Sequence, residues 1–346
     1  PTTRSCSSCA PIRRSSVSLH EIPEFGISNK DYAAVAASSL AVAALIMGII
    51  HAGYASINAK AEAVAEAEAL AARVAAEEEA SELQVSPAVI TNMSAAQAAV
   101  ENIVSGYGEN VAVSVRMLDG SCNFYINGDE SMQSASRIKL LVLAEYLDEL
   151  DVGAICADDT YELAYSDVVG GSGTMQGDPV GTEYTLDEVA RRMVAASDNV
   201  GTNVLIERMG VEQIQAKADE LGLAGTQIAH KLMIGANDGK WNMISANDAA
   251  RILTRVAGST LASADSCTRA EEYLLEQEDD EGLAQGLPNG VAFGHKTGTI
   301  DNIHHDGGIV YAEHPYVICV LTKNVGYDTA NTLMAQISAV VYEAIR

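Results

Sequence analysis

Ser136-Arg-Ile-Lys-Leu-Leu-Val-Leu-Ala-Glu-Tyr-Leu147 decides how this chain is read, together with two strings that follow it in order, Ser197-Asp-Asn199 and Lys296-Thr-Gly298. The run carries apolar residues at Ile138, Leu140, Leu141, Leu143 and Leu147, the pattern of a buried helix with Ser136 at its start. A serine there faces free backbone N–H groups and the positive end of the helix dipole, both suited to developing negative charge. Lys139, one turn on, shares its face and reaches the hydroxyl. It is a base only when neutral, so it must be desolvated and placed beside a second cation, for which Lys296 is the candidate. The competing reading of Ser136 is an N-cap with an exposed lysine.

Ser197-Asp-Asn199 separates a helix ending near Ala196 from one starting near Val200. Capping accounts for such a string by itself. In a catalytic setting Ser197 relays a proton and Asn199 offers its amide to a substrate carbonyl. Lys296-Thr297-Gly298 reads as the end of a strand with a glycine turn, and a cation beside a hydroxyl suits a substrate carboxylate. The backbone N–H of Thr299 then pairs with that of Ser136 as an oxyanion hole.

The chain has 346 residues and a formal net charge of −26, which argues against nucleic acid as a partner. Two acidic runs, Glu62 to Glu82 and Glu271 to Glu281, read as a solvated helix face and a polar surface loop. Tyr32 to Ile50 holds no charged residue, and as a helix it spans about 28 Å, close to the hydrocarbon thickness of a bilayer. Arg4, Arg13, Arg14 and Lys30 precede it and acid follows, so the expected topology is a signal anchor with everything after Tyr54 outside. A cleaved signal peptide with a small-x-small site at Gly53-Tyr-Ala55 is the rival reading.

Residues 1–31 then read as a cytoplasmic disordered tail, 32–55 as the transmembrane anchor, 56–86 as an Ala/Glu-rich helical stalk and 87–346 as the folded domain. Val64, Ala67, Ala71 and Val74 make a thin seam on the stalk, enough for weak self-association. Cys6 and Cys9 form a lone C-x-x-C in the tail, whereas Cys122, Cys156, Cys267 and Cys319 would meet an oxidising exterior, where pairing is open to them. Within the domain the order is a helix (Ala95 to Val104), strands at Val111 to Met117 and Cys122 to Asn127, and a helical block from Ile138 to about Val256. Strands at Val291 to Lys296, Gly308 to Ala312 and Val317 to Thr322 follow, then a helix from Ala330 to Ile345. The expected fold is α/β of the α+β kind: a five-stranded antiparallel sheet with terminal helices and an inserted helical subdomain.

The stretch from about Ser94 to Arg346 resembles a class A β-lactamase, within the penicillin-recognising serine enzymes. The three strings and the element order carry the likeness, as do Gly170-Gly-Ser-Gly173, Gly294-His-Lys-Thr-Gly298 and Asp306-Gly-Gly308. The resemblance implies acylation of Ser136, proton handling by Lys139 and Ser197, and substrate binding by Asn199, Lys296, Thr297, Gly298 and Thr299, with no cofactor and no metal. It also implies a glutamate in the loop after the Ser-Asp-Asn helix, which positions the water that frees the acyl-enzyme. Alignment by that loop puts His230 near the position, and between Gly222 and Ser245 the one carboxylate is Asp238 in an Asn-Asp-Gly turn. His295, His304 and His305 lack a carboxylate spaced for a zinc site. The expected function is a membrane-anchored serine hydrolase of β-lactamase type acting on a β-lactam. The alternatives are a D-alanyl-D-alanine peptidase or esterase on cell-wall peptide, and a slow penicillin-binding sensor.

Overall fold

The computed structural model describes residues 87–234 and 239–346; the expected tail, anchor and stalk lie outside the described residues. Among the described residues, no helix is long and apolar enough to cross a membrane. Helix α1 (Pro87–Val104) leads into strands β1 (Val111–Met117) and β2 (Asn123–Ile126). A two-residue strand β3 (Met132–Gln133) and a 3₁₀ turn (Ala135–Ile138) then deliver the chain to α2 (Lys139–Asp151). The inserted part holds β4 (Thr160–Glu162), β5 (Glu183–Thr185), α3 (Leu186–Ala195), α4 (Asn199–Met209), α5 (Val211–Glu220), β6 (Met243–Ile244), α6 (Ala246–Ala257) and α7 (Ala264–Leu275). The chain returns through β7 (Ala292–Ile300), β8 (Ile303–Tyr311) and β9 (Tyr316–Lys323) and closes on α8 (Tyr327–Ile345).

The main sheet is antiparallel throughout, in the order β2-β1-β9-β8-β7. Side chains alternate across it with the period of two that a pleated strand imposes. Val111, Val113 and Val115 of β1 and Ile318 and Val320 of β9 pack with Met93, Val100, Ile337 and Val341 of the two terminal helices. Ala112, Val317, Cys319 and Leu321 point the other way, into the core shared with the helical subdomain. β9 is therefore buried on both faces, which is why Tyr316 to Leu321 is continuously apolar rather than alternating.

The expected order of elements is present, with two informative differences at strand ends. β7 does not stop at Lys296: it runs to Ile300, with Gly298 paired to His305 and Thr299 to His304. β8 begins at Ile303, because His304, His305 and Asp306 are buried ladder residues and not a loop. The four cysteines of the domain that stood open to pairing are all free thiols: Cys122, Cys156, Cys267 and Cys319. Cys319, at the centre of β9, instead accepts a hydrogen bond from Arg137 (3.2 Å).

The sheet's double burial makes a definite demand on stability. Ile318 is fully buried between the sheet and the terminal helices, so Ile318→Ala removes apolar volume where the surroundings cannot collapse. A loss of about 3 kcal/mol is expected, read as a fall of roughly 6–12 °C in Tm. Tyr125→Ala on edge strand β2, where the side chain is 54% exposed, should shift Tm by less than about 2 °C. Equal shifts in the two variants would contradict this packing.

Candidate active site

Ser136 does not open the α-helix directly. It lies in the 3₁₀ turn Ala135–Ile138, and the α-helical ladder begins at Lys139. The turn is entered through Ala135 at φ +45°, a left-handed conformation that costs a non-glycine residue on the order of 1 kcal/mol or more. Ser197 has the same property, at φ +54°. The two hydroxyl-bearing elements of the site are thus both held at strained corners.

Between them lies Lys139, fully buried. Its Nζ donates to Ser136 Oγ (3.0 Å), Ser197 Oγ (3.0 Å), the Ser197 carbonyl (2.6 Å) and Asn199 Oδ1 (2.9 Å). Every acceptor is neutral, and the ammonium has no ion pair. Burial pushes the Lys139 pKa well below the ordinary lysine range, the Lys296 charge pushes it further, and Asp198 opposes both. Lys296 is also fully buried; its Nζ donates to the Thr297 carbonyl (3.0 Å), and burial followed by the Arg137 charge lowers its pKa to about 7 against the pull of Asp279 and Asp306.

Asp198 is the bracket of the Ser-Asp-Asn corner. Its buried carboxylate caps α4 at Gly201 N (3.0 Å) and accepts Thr174 N (2.6 Å) and Met175 N (2.7 Å) from the glycine-rich loop. That loop presses so close that a Cβ on Gly173, at φ +109°, would lie 2.3 Å from Asp198 Oδ2. Asn199 spends one amide hydrogen on the Gly170 carbonyl (3.0 Å), which leaves its second N–H for another acceptor. On the opposite wall, Gly298 lets β7 meet the nucleophile turn, since a Cβ there would be 3.0–3.1 Å from the backbone nitrogens of Arg137 and Ser136.

These walls enclose a cavity of about 200 Å³ lined by Ser136, Ser172, Ser197, Thr297, Gly298 and Thr299, among others. Lys139, Asn199 and Lys296 stand behind its surface, within the buried shell. A larger cavity of about 420 Å³ is bounded by Tyr161, Ser166, Asp167, Asn203, Glu207 and Lys231, where the Ser166 hydroxyl donates to Asp167 Oδ1 (3.1 Å) with no lysine beside it as Lys139 stands beside Ser136.

Sequence reasoning missed the third wall. Gln277, Glu278 and Asp279 belong to the acidic run expected to be a plain surface loop, yet they line the catalytic cavity. Gln277 is buried, and its Nε2 donates to the Val194 carbonyl (3.2 Å) while Glu278 N donates to the Ala195 carbonyl (3.2 Å), tethering the loop beside Ser197. Charge density alone gave no sign of this, because the tether is a glutamine.

His230 lies outside the cavity lining. Its ring nitrogens lie against the backbone carbonyls of Lys231 (2.7 Å) and Lys240 (3.2 Å), away from the cavity lining. The loop is fixed to α4 two residues later, where Asn203 Oδ1 accepts Leu232 N (2.7 Å) and Asn203 Nδ2 donates to the Leu232 carbonyl (2.9 Å). The residue set against α4 is therefore an apolar one. Asp238 lies outside the described residues.

The three histidines near the site are engaged in structure. His295 Nδ1 meets Asp306 Oδ1 (2.8 Å), His304 bridges Thr299 and Asn331, and His305 bridges Gln133 and Thr322. Burial lowers the His305 pKa to about 4, so it is neutral at physiological pH. Among the described residues, no group of His, Cys, Asp and Glu is arranged to hold a metal ion.

Comparison with known proteins fits this geometry. No curated protein matches the chain by sequence. Among solved structures, a β-lactamase from Sphaerobacter thermophilus superposes with TM-score 0.68 at 24% identity, covering 73% of this chain and 97% of its own. An acyl-enzyme complex of a PBP-A mutant with penicillin G gives 0.67 at 25% identity, covering 73% and 96%. An ancestral class A β-lactamase gives 0.65 at 23%, covering 70% and 97%. Residues 95–345 match the family model described as the β-lactamase enzyme family, and with its nucleophile turn, buried lysine and Ser-Asp-Asn corner in place the chain belongs to that family.

Proposed function

We propose that the protein is an acyl-serine enzyme of the penicillin-recognising kind, acylated at Ser136 by β-lactams and slow to release the acyl group. The observation that carries the first half is Lys139: dry, without an ion pair, and equidistant at 3.0 Å from the Ser136 and Ser197 hydroxyls. Neutral Lys139 takes the proton as Ser136 Oγ attacks the carbonyl carbon. The carbonyl oxygen, now negative, is received by the backbone N–H groups of Ser136 and Thr299. As the C–N bond breaks, Ser197 Oγ gives its proton to the leaving nitrogen and is reprotonated from Lys139 Nζ. Asn199 and the Lys296–Thr297 pair hold the substrate's amide and carboxylate, and Gly298 keeps that edge of the cleft open.

Slow release is supported by the described part of the 230s loop, where His230 bonds the Lys231 and Lys240 carbonyls and Asn203 holds the Leu232 backbone. No carboxylate of the described part of that loop lines the cavity. The likeness to PBP-A in its penicillin G acyl-enzyme favours the same reading. A D-alanyl peptidase or esterase acting on cell-wall peptide uses the same acylation chemistry and remains the second reading. The charge-free stretch Tyr32 to Ile50 after basic residues supports an anchored, outward-facing enzyme.

Incubation with benzylpenicillin should add one penicilloyl mass, mapped by peptide fragmentation to Ser136, with a burst of one equivalent followed by slow turnover. Release of D-alanine from a muropeptide would favour the peptidase, and rapid steady-state hydrolysis of a chromogenic cephalosporin would overturn slow release. No adduct with several β-lactams would overturn the catalytic assignment.

Lys139→Arg tests the base. Arginine keeps the charge but does not deprotonate in the working range, so acylation should fall by about 10²–10⁴ in a variant that still folds by circular dichroism. The sign of the pH dependence follows from the direction of each shift. Acylation is lost as pH falls through the depressed Lys139 pKa, because the base becomes protonated. Capture of a substrate carboxylate weakens as pH rises through about 7, because Lys296 loses its charge. A folded Lys139→Arg variant within about threefold of wild type would remove Lys139 from the mechanism.

A further inference from the structure

Arg137 sits between the nucleophile and the base in sequence and is the largest fully buried side chain of the described residues. A buried guanidinium is costly to desolvate unless its donors are satisfied, and it normally has a carboxylate partner. Here it has none. Nη1 donates to the Lys296 carbonyl (2.5 Å) and the Gly307 carbonyl (2.7 Å), Nη2 donates to Cys319 Sγ (3.2 Å), and Nε has no hydrogen-bond partner. Lys296 and Gly307 are directly opposed in the β7–β8 ladder, so one nitrogen grips both strands at one rung. The backbone and Cγ of the same residue press on Gly298, the point of closest approach of β7.

This placement matters because the two oxyanion donors belong to different elements. Ser136 N is on the 3₁₀ turn and Thr299 N is on β7, and their separation depends on how turn and strand are fastened. We infer that Arg137 is a positioning residue, whose guanidinium clamps the Ser136 turn to the Lys296–Gly307 rung, fixes the spacing of the two oxyanion donors and sets a cation behind Lys296. The clamp serves the acylation proposed above and rests on that reading; the charge does not.

The charge acts on a defined neighbourhood. Lys296 is faced by Arg137 from the nucleophile turn, Lys139 from α2, Asp306 from β8 and Asp279 from the loop after α7, with His295 beside it on β7 and bonded to Asp306. Among these groups Arg137 is the guanidinium, held by its bonds to the Lys296 and Gly307 carbonyls. Its like charge opposes protonation of Lys296, in line with the direction of that lysine's shift. Lysine at 137 would keep the charge but not the fork that reaches two carbonyls on one rung. Glutamine would lose the charge.

The test uses the full chain with Arg137→Lys and Arg137→Gln, read two ways. Acylation by benzylpenicillin at saturation should fall by about 10–10² in both variants, with the half-saturating concentration within about threefold, as expected when a reacting geometry is loosened rather than a substrate contact removed. Separately, NMR titration of the Lys296 side chain, which needs no acylation, should give a midpoint near the wild-type value in Arg137→Lys and a higher one in Arg137→Gln. Arg137→Lys acylating within threefold of wild type would overturn the clamp. An unmoved Lys296 midpoint in Arg137→Gln would overturn the charge role. If Arg137→Gln does not fold, the rate of Arg137→Lys decides the clamp, and Arg137→Met takes the place of Gln in the titration. A wild-type chain that no β-lactam acylates would instead sink the acyl-enzyme reading, with the Lys296 midpoint still deciding the charge role.

Discussion

Everything in the cleft depends on keeping one amine dry. Lys139 Nζ is sealed from water and coordinated by oxygen atoms from three residues of two separate segments, none of them charged. An ammonium in such a place loses its hydration without gaining a counter-ion, so the neutral form is favoured. The Lys296 charge adds to that bias and Asp198 opposes it, while Arg137 in turn stands beside Lys296. A buried charge cluster of this sign is a poor way to stabilise a protein. Its presence here fits the proposed role of Lys139 as a general base.

The architecture can hold this cluster because the pieces around it are rigid and close. The central strand β9 is buried on both faces, Gly298 lets edge strand β7 touch the nucleophile turn, and Gly173 lets the glycine-rich loop lie on Asp198. The strain at Ala135 and Ser197 falls at the two corners that aim the hydroxyls, where local cost is tolerated because neighbouring contacts over-determine the backbone. Asp198 serves both needs: it caps α4 and ties the loop that supports Asn199. The third wall is of another kind. Glu278 and Asp279 put negative charge at the mouth of a cavity whose cations are all set behind its surface.

Much of this was legible in the chain because the chemistry restricts residue type and spacing together. Ser136 and Lys139 must be one helical turn apart, and Ser197 with Asn199 must flank a corner; both requirements leave a visible string. The sheet is legible through β1 and β9, whose β-branched, apolar runs favour strands. What escaped was set by partners distant in sequence. His304, His305 and Asp306 look like loop residues until Asn331, Gln133 and His295 are placed against them. Gly298 looks like a strand end until the turn it admits is seen. The tie between α4 and the loop after α5 is a side-chain clamp from Asn203 to the Leu232 backbone, which leaves no pattern in the loop itself. Arg137 carried no signal at all, since a surface arginine and a buried one are spelled alike.

The account stands or falls on the charge state of Lys139. With lysine side chains isotopically labelled and the resonance assigned through Lys139→Arg, an NMR pH titration of the Nζ group gives its midpoint directly. The account predicts a value well below the usual ~10.4 of a lysine, with the amine neutral where the enzyme works. A midpoint at or above about 10 would mean an ordinary ammonium beside Ser136, and the proton would have to leave the serine by another route.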